Sequence, residues 1–175
     1  MRNVTVYTEE IYKIINRQRV FSKDAVFVGG AAMAITLNLA ARAVYGDPTS
    51  VFAWVLVGVG AIVIPFFFFI FPLRNSKKNY KKAKTLTNDG GDMVNTIDFE
   101  KDKIVCHNNM HQTANIQYTD IQEVVLTNRL IILKKDGKEL VHIDRKGYVN
   151  SSDEECLNLL EEKCTKLKRP FRKKS

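Results

Sequence analysis

The chain carries none of the short signatures that mark common chemistries. Its glycine pair Gly90-Gly91 sits in an expected turn without the spacing, the Lys or the Ser/Thr of a phosphate loop. A serine elbow and an HExxH pair are also missing. Cysteine is scarce, with three residues in 175, Cys106, Cys156 and Cys164. A zinc site needs three or four ligands that converge. The one local concentration, CHNNMH at residues 106–111, sets Cys106 and His107 side by side on an expected strand, where they face opposite ways, and puts His111 in the following turn. The cysteines read as reduced thiols, with Cys156 and Cys164 on the buried side of a helix. Asp98, Glu100 and Asp102 alternate over a strand and turn and read as a solvated edge. No metal, no cofactor and no enzymatic activity are expected.

Charge is the next absence. Residues 51–73 contain no Asp, Glu, Lys or Arg, and residues 25–46 contain Arg42 alone. Each block meets the requirement of about 20 mainly apolar residues for a membrane-spanning helix. Some two dozen residues precede the first block, which excludes a cleaved signal peptide as its reading. Carboxylates and histidines are missing from both blocks, so no proton or ion pathway is expected. The expectation is a two-helix transmembrane hairpin, with spans at 25–46 and 51–73 joined by a tight turn at GDPTS. Gly30 and Ala34 are small enough to let the spans or a second copy approach closely, and Asn38 is placed to hydrogen-bond a neighbouring helix. Pro65 is expected to kink the second span.

What is present in quantity is positive charge, and it is unevenly distributed. The total is 27 basic against 19 acidic residues, net +8. Residues 85–162 nevertheless hold 8 basic and 15 acidic side chains, net −7, which repels a phosphate backbone and argues against nucleic acid as a partner. The excess cations sit in two runs. One is Arg74, Lys77, Lys78, Lys81, Lys82 and Lys84; the other is Lys168, Arg169, Arg172, Lys173 and Lys174. Both are expected to contact the anionic headgroups of a lipid bilayer. Lys and Arg flank the blocks but avoid the connector, which places both termini on the cytoplasmic side.

Beyond the basic run, short alternating segments predict strands near 93–99, 103–107, 113–117 and 124–127. RLIILKKDGKELVHI, residues 129–143, predicts a hairpin about Asp136-Gly137, because a type I′ turn needs positive φ at both central residues. Ser152 or Ser151 caps a final helix with Asp153, Glu154 and Glu155 in its first turn and Leu157, Leu160, Cys164 and Leu167 in one stripe. The expected fold class is an α+β membrane protein. Residues 1–24 form a strand and an amphipathic helix, 25–73 the hairpin, 74–84 a basic juxtamembrane segment, 85–168 a small, mainly antiparallel β domain closed by a helix, and 169–175 a basic tail.

This order of parts resembles the YcxB-like family of bacterial two-span membrane proteins, whose soluble part is similar to pleckstrin-homology-like domains. The resemblance rests on VTVYTEEIYKIINRQRV at the start, IQYTDIQEVVLTNRLIIL, and HIDRKGY before the last helix. Within these, YTDI at 118–121 matches a Tyr-x-Asp-Ile turn, and IDRKGY at 143–148 matches an Ile-x-Arg/Lys-Lys-Gly-aromatic stretch; Asp144 stands where family members commonly have Pro. The resemblance implies a multi-pass protein of the bacterial inner membrane and no particular reaction. The expected role is a membrane-anchored module that binds a protein or peptide at the inner leaflet, since exposed sheet edges in such folds accept a strand. An immunity or envelope-stress accessory acting through the hairpin is one alternative, and a membrane enzyme another. A homodimer is a further expectation. The Arg145-Lys146 pair, the one local positive feature of the domain, reads as structural.

Overall fold

A computed structural model describes residues 1–20, 23–45, 51–66, 71–87 and 90–167. The fold is α+β with antiparallel sheets. It divides into a sheet unit, Met1–Thr8 with Lys82–Ser175, and a helical unit, Glu9–Lys81.

In the sheet unit, β1 is Arg2–Tyr7, β2 Met93–Phe99, β3 Lys103–Asn108, β4 Thr113–Gln117, β5 Glu123–Leu126, β6 Leu130–Lys135, β7 Lys138–Asp144 and β8 Tyr148–Val149. They form a five-stranded sheet in the order β4-β3-β2-β1-β8 and a three-stranded sheet in the order β5-β6-β7. Helix α5, Asp153–Lys163, follows. Its Ser152 cap accepts from the Glu155 N–H while the Glu155 carboxylate accepts from the Ser152 N–H, a reciprocal box that satisfies two otherwise orphaned donors. Cys156, Leu160 and Cys164 then fall on one buried stripe and join Ile97, Ile104, Ile116, Ile121, Ile131, Leu133 and Ile143 in the core. The expected hairpin turn is present, with positive φ at Asp136 (50°) and Gly137 (76°).

The first strand belongs to this sheet and not, as expected, to a separate amino-terminal segment. β1 pairs antiparallel with β2 from Arg2↔Asp98 to Tyr7↔Met93, and with β8 through Asn3↔Tyr148. Its inward residues are polar: Asn3, Thr5 and Tyr7 are buried, while Val6 on the opposite face is 37% exposed. The burial is satisfied by β7. Asn3 Nδ2 donates to the Asp144 carbonyl (2.7 Å), the Asp144 N–H donates to Thr5 Oγ1 (2.9 Å), and Thr5 Oγ1 donates to Asn3 Oδ1 (2.9 Å). Tyr7 meets His142 edge-on, with ring centroids 6.0 Å apart. The buried Asp144 carboxylate receives Arg129 Nε (3.0 and 3.1 Å) and Nη2 (3.0 Å), and the Lys146 N–H (3.0 Å).

In the helical unit, α1 is Glu9–Val20, α2 Lys23–Tyr45 and α3 Val51–Pro65, and α4, Phe71–Leu86, runs from this unit into the other. α1 buries Ile11 and Ile15, one turn apart. Asn16 Nδ2 donates to Ser76 Oγ (3.0 Å), and the Tyr12 and Tyr80 rings lie 6.2 Å apart, which pairs α1 with α4 in antiparallel sense. α2 and α3 approach closely where Gly60 meets Thr36: a Cβ on Gly60 would lie 2.6 Å from Thr36 Cγ2. The basic segment 74–84 is helical and lies within α4. Pro72 falls in the first turn, where a missing N–H leaves no intrahelical bond unmade.

The expected transmembrane hairpin is corrected by these helices. Among the described residues, none is long and apolar enough to cross a membrane. α3 ends at Pro65 after 15 residues, which is about 22 Å of helix against a hydrocarbon core of about 30 Å. α2 has 23 residues, but it opens on Lys23 and Asp24, carries Thr36, Asn38 and Arg42, and is otherwise rich in weakly apolar Ala and Gly. The membrane-protein fold class loses its support with the spans, as does a multi-pass inner-membrane location with both termini cytoplasmic. So do the roles built on them: the anchored inner-leaflet module, the immunity or envelope-stress accessory acting through the hairpin, and the membrane enzyme. The expected turn at 46–50 lies outside the described residues.

β1 is held close at Gly147, whose carbonyl accepts the Val4 N–H (2.7 Å) and whose Cα faces the Val4 carbonyl so nearly that an added Cβ would collide with it. Gly147→Ala is expected to cost about 1–3 kcal/mol, measured by urea unfolding, whereas Val6→Thr on the exposed face should stay within about 0.5 kcal/mol.

Candidate interaction surface

The polar residues singled out by the sequence are dispersed. Cys106 is buried on β3; His107, next to it, is exposed and has Nδ1 2.9 Å from Thr113 Oγ1 across the strand pair. His111 lies in the β3–β4 turn at φ 60°. Asp98 is taken by Arg2 (2.7 and 3.1 Å), which holds its carboxyl below the usual range. Glu100 lies 3.7 Å from Lys103. Among the described residues, no group of three or more His, Cys, Asp and Glu side chains is placed to hold a metal ion. Arg145 is committed to structure: it donates to Asp153 Oδ2 from Nε (2.9 Å) and Nη2 (2.6 Å), and to the Thr127 carbonyl (2.9 Å).

The cysteines sit in the core, and burial sets their chemistry. It pushes Cys106 and Cys156 up to about 11 and Cys164 up to about 12. Thiolate is the nucleophile, so none of the three is poised for attack or metal capture near neutral pH. In the unfolded chain a thiol ionises near 8.5. Between there and about 11 the folded state therefore holds more protons than the unfolded one, and stability falls as pH rises through that window. In the folded protein at pH 7.5, a thiol reagent such as DTNB should titrate none of the three cysteines within minutes; in 6 M guanidinium, a denaturing condition, it should titrate all of them. Fast labelling of folded protein would contradict their burial.

The cations of the first basic run are gathered. Arg74, Lys77, Lys78, Lys81, Lys82 and Lys84 are all exposed on α4, and at 100° per residue they occupy an arc of about 160°. α4 contains no acidic residue; from α1, Glu9 is held below its usual range chiefly by Lys13, with Lys77 and Lys81 contributing. The second run, Lys168, Arg169, Arg172, Lys173 and Lys174, lies outside the described residues. Gly30, Ala34 and Asn38 are exposed on α2, and a Cβ on Gly30 would meet open space. The outer sides of α2 and α3 also expose Met33, Ile35, Leu37, Val55, Val59 and Ile62.

Among the described residues, the sheet unit leaves one long edge strand without a neighbour on its outer side. β4 is terminal in the five-stranded sheet. Its neighbour β3 fixes which backbone groups face out. The Asn108 N–H donates to the Gln112 carbonyl, and in an antiparallel ladder bonded and non-bonded pairs alternate. With the register Cys106↔Ala114 and Ile104↔Ile116 bonded, Thr113, Asn115 and Gln117 direct their N–H and C=O groups away from β3, to the side where, among the described residues, no strand follows. The sequence of this edge, TANIQ, has no charge and no Pro, the usual guards of an exposed edge. The other edges differ. β8 is two residues long, β5 carries Glu123, and β7 packs against β1. Ala114 shares the inward face with buried Ile116 yet is itself exposed. The sequence alone did not indicate which strand lies at the rim of the sheet.

No family model matches the chain, and neither a curated protein nor a solved structure matches it. The resemblance to YcxB-like proteins and pleckstrin-homology-like domains is thus carried by sequence words alone.

Proposed function

We propose that the chain is a non-enzymatic binding module whose sheet unit accepts an extended segment of another polypeptide along β4. The observation that carries this reading is the outward row of backbone groups at Thr113, Asn115 and Gln117 on an uncharged edge without Pro. Main-chain hydrogen bonds would supply affinity and the exposed side of Ala114 an alternate-residue contact. Among the described residues of this unit, the three thiols are buried and Asp98, Asp144 and Asp153 are held in ion pairs.

The edge offers a clean test, because Pro is tolerated where the N–H faces outward. Asn115→Pro removes one outward donor and leaves the β3 ladder intact, whereas Ala114→Pro breaks it. Peptides selected by display against the full chain should bind Asn115→Pro at least about tenfold more weakly, while its thermal unfolding matches that of the parent. Undiminished binding to Asn115→Pro would remove the reading.

α4 favours a second contact. Six exposed cations on one face, with no acidic residue in the helix, support contact with anionic lipid headgroups from outside the bilayer, without crossing it. Each such charge contributes about 1 kcal/mol near an anionic surface. The protein should sediment with phosphatidylserine vesicles at low salt, release as salt rises, and lose this binding in the triple variant Lys77→Glu, Lys78→Glu, Lys81→Glu. Equal binding to neutral vesicles would exclude the contact.

A further inference from the structure

We infer that the segment seated on β4 is β4 of a second copy of this chain, paired antiparallel about Asn115. The inference rests on the reading of β4 as a strand-accepting edge and names its occupant. A two-fold axis through Asn115 sets Asn115 opposite Asn115 of the second copy and Thr113 opposite its Gln117. These are the residues whose backbone groups face outward. Three bonded pairs result, which is about six hydrogen bonds.

The side chains fit the same register. On the inward face Ala114 meets Ile116 of the second copy, so a small residue lies opposite a large one and the exposed Ala114 is covered. On the outward face the seam consists of Thr, Asn and Gln, which hydrogen-bond one another. No charge lies in β4, and the nearest cationic candidates, Lys103 and His107, are one strand back on β3. Lys103 of one copy and His107 of the other are then three strand spacings apart, about 14 Å. A heterologous partner with charged residues along its strand would gain no complement from TANIQ; an identical strand is neutral against neutral in every position. The contact is isologous and closed, joining two five-stranded sheets into one.

Register-specific cysteines in the full-length chain test this. The native thiols are buried, so background cross-linking is low. Asn115→Cys should form a disulfide-linked dimer on mild oxidation, since opposed Cα atoms in a bonded pair lie about 5.5 Å apart. Thr113→Cys alone should not, because its counterpart is four residues along, about 13 Å away. Mixing Thr113→Cys with Gln117→Cys should restore cross-linking. Asn115→Pro should sediment at half the mass of the parent. Cross-linking of Thr113→Cys equal to that of Asn115→Cys, or of neither, would overturn the inference. If the cysteines fail to link in register while Asn115→Pro still weakens selected peptides, the second copy alone is wrong and the accepting edge stands. If they link in register while selected peptides ignore Asn115→Pro, self-pairing stands and peptide acceptance falls.

Discussion

The buried polar contact between β1 and β7 is the constraint on which the sheet unit depends. Asn3 and Thr5 place hydrogen-bonding groups in a completely buried setting, where each unmet group costs about 1–3 kcal/mol. Asp144 answers both through its backbone and uses its carboxylate to hold Arg129 in a two-pronged ion pair. The cost of burying that carboxylate is offset only while all partners are present. One residue therefore ties the first strand to the hairpin β6–β7 and the loop leading to β8. Core isoleucines and leucines supply the bulk of the burial, but they would tolerate many alignments. The polar set admits one register.

That constraint explains what the sequence disclosed and what it did not. The strands after residue 92, the Asp136-Gly137 turn and the Ser152 cap were legible because each is decided locally, by alternation, by positive φ and by a reciprocal cap. β1 was legible as a strand, but not in its placement. Asn3 and Thr5 face inward, and the groups that satisfy them lie about 140 residues away. The apolar run at 51–73 likewise read as one span, whereas the structure gives α3 as Val51–Pro65 and begins α4 at Phe71. The cations of 74–84 were visible one by one, and their spacing at three and four residues is helical, but they read as a juxtamembrane exit until α4 gathered them on one face. At β4, the lack of charge could be read directly; its position at the rim could not, because strand order is a property of the whole sheet.

The two units divide the physical problem differently. The sheet unit has a dense apolar core. The helical unit buries Ile11 and Ile15 of α1 and joins Asn16 to Ser76 of α4, but displays apolar side chains on α2 and α3. Exposed apolar surface of this kind marks interaction in natural proteins.

The insertion of residues 8–92 between paired strands has a consequence for biosynthesis. β1 leaves the ribosome before its neighbours β2 and β8, which end at Phe99 and Val149. At elongation rates of about 5–20 residues per second, the strand waits roughly 7–30 s for the slot that receives it. During that interval β1 lacks the strands that flank it in the sheet. Closure of the five-stranded sheet is thereby coupled to the synthesis of β8.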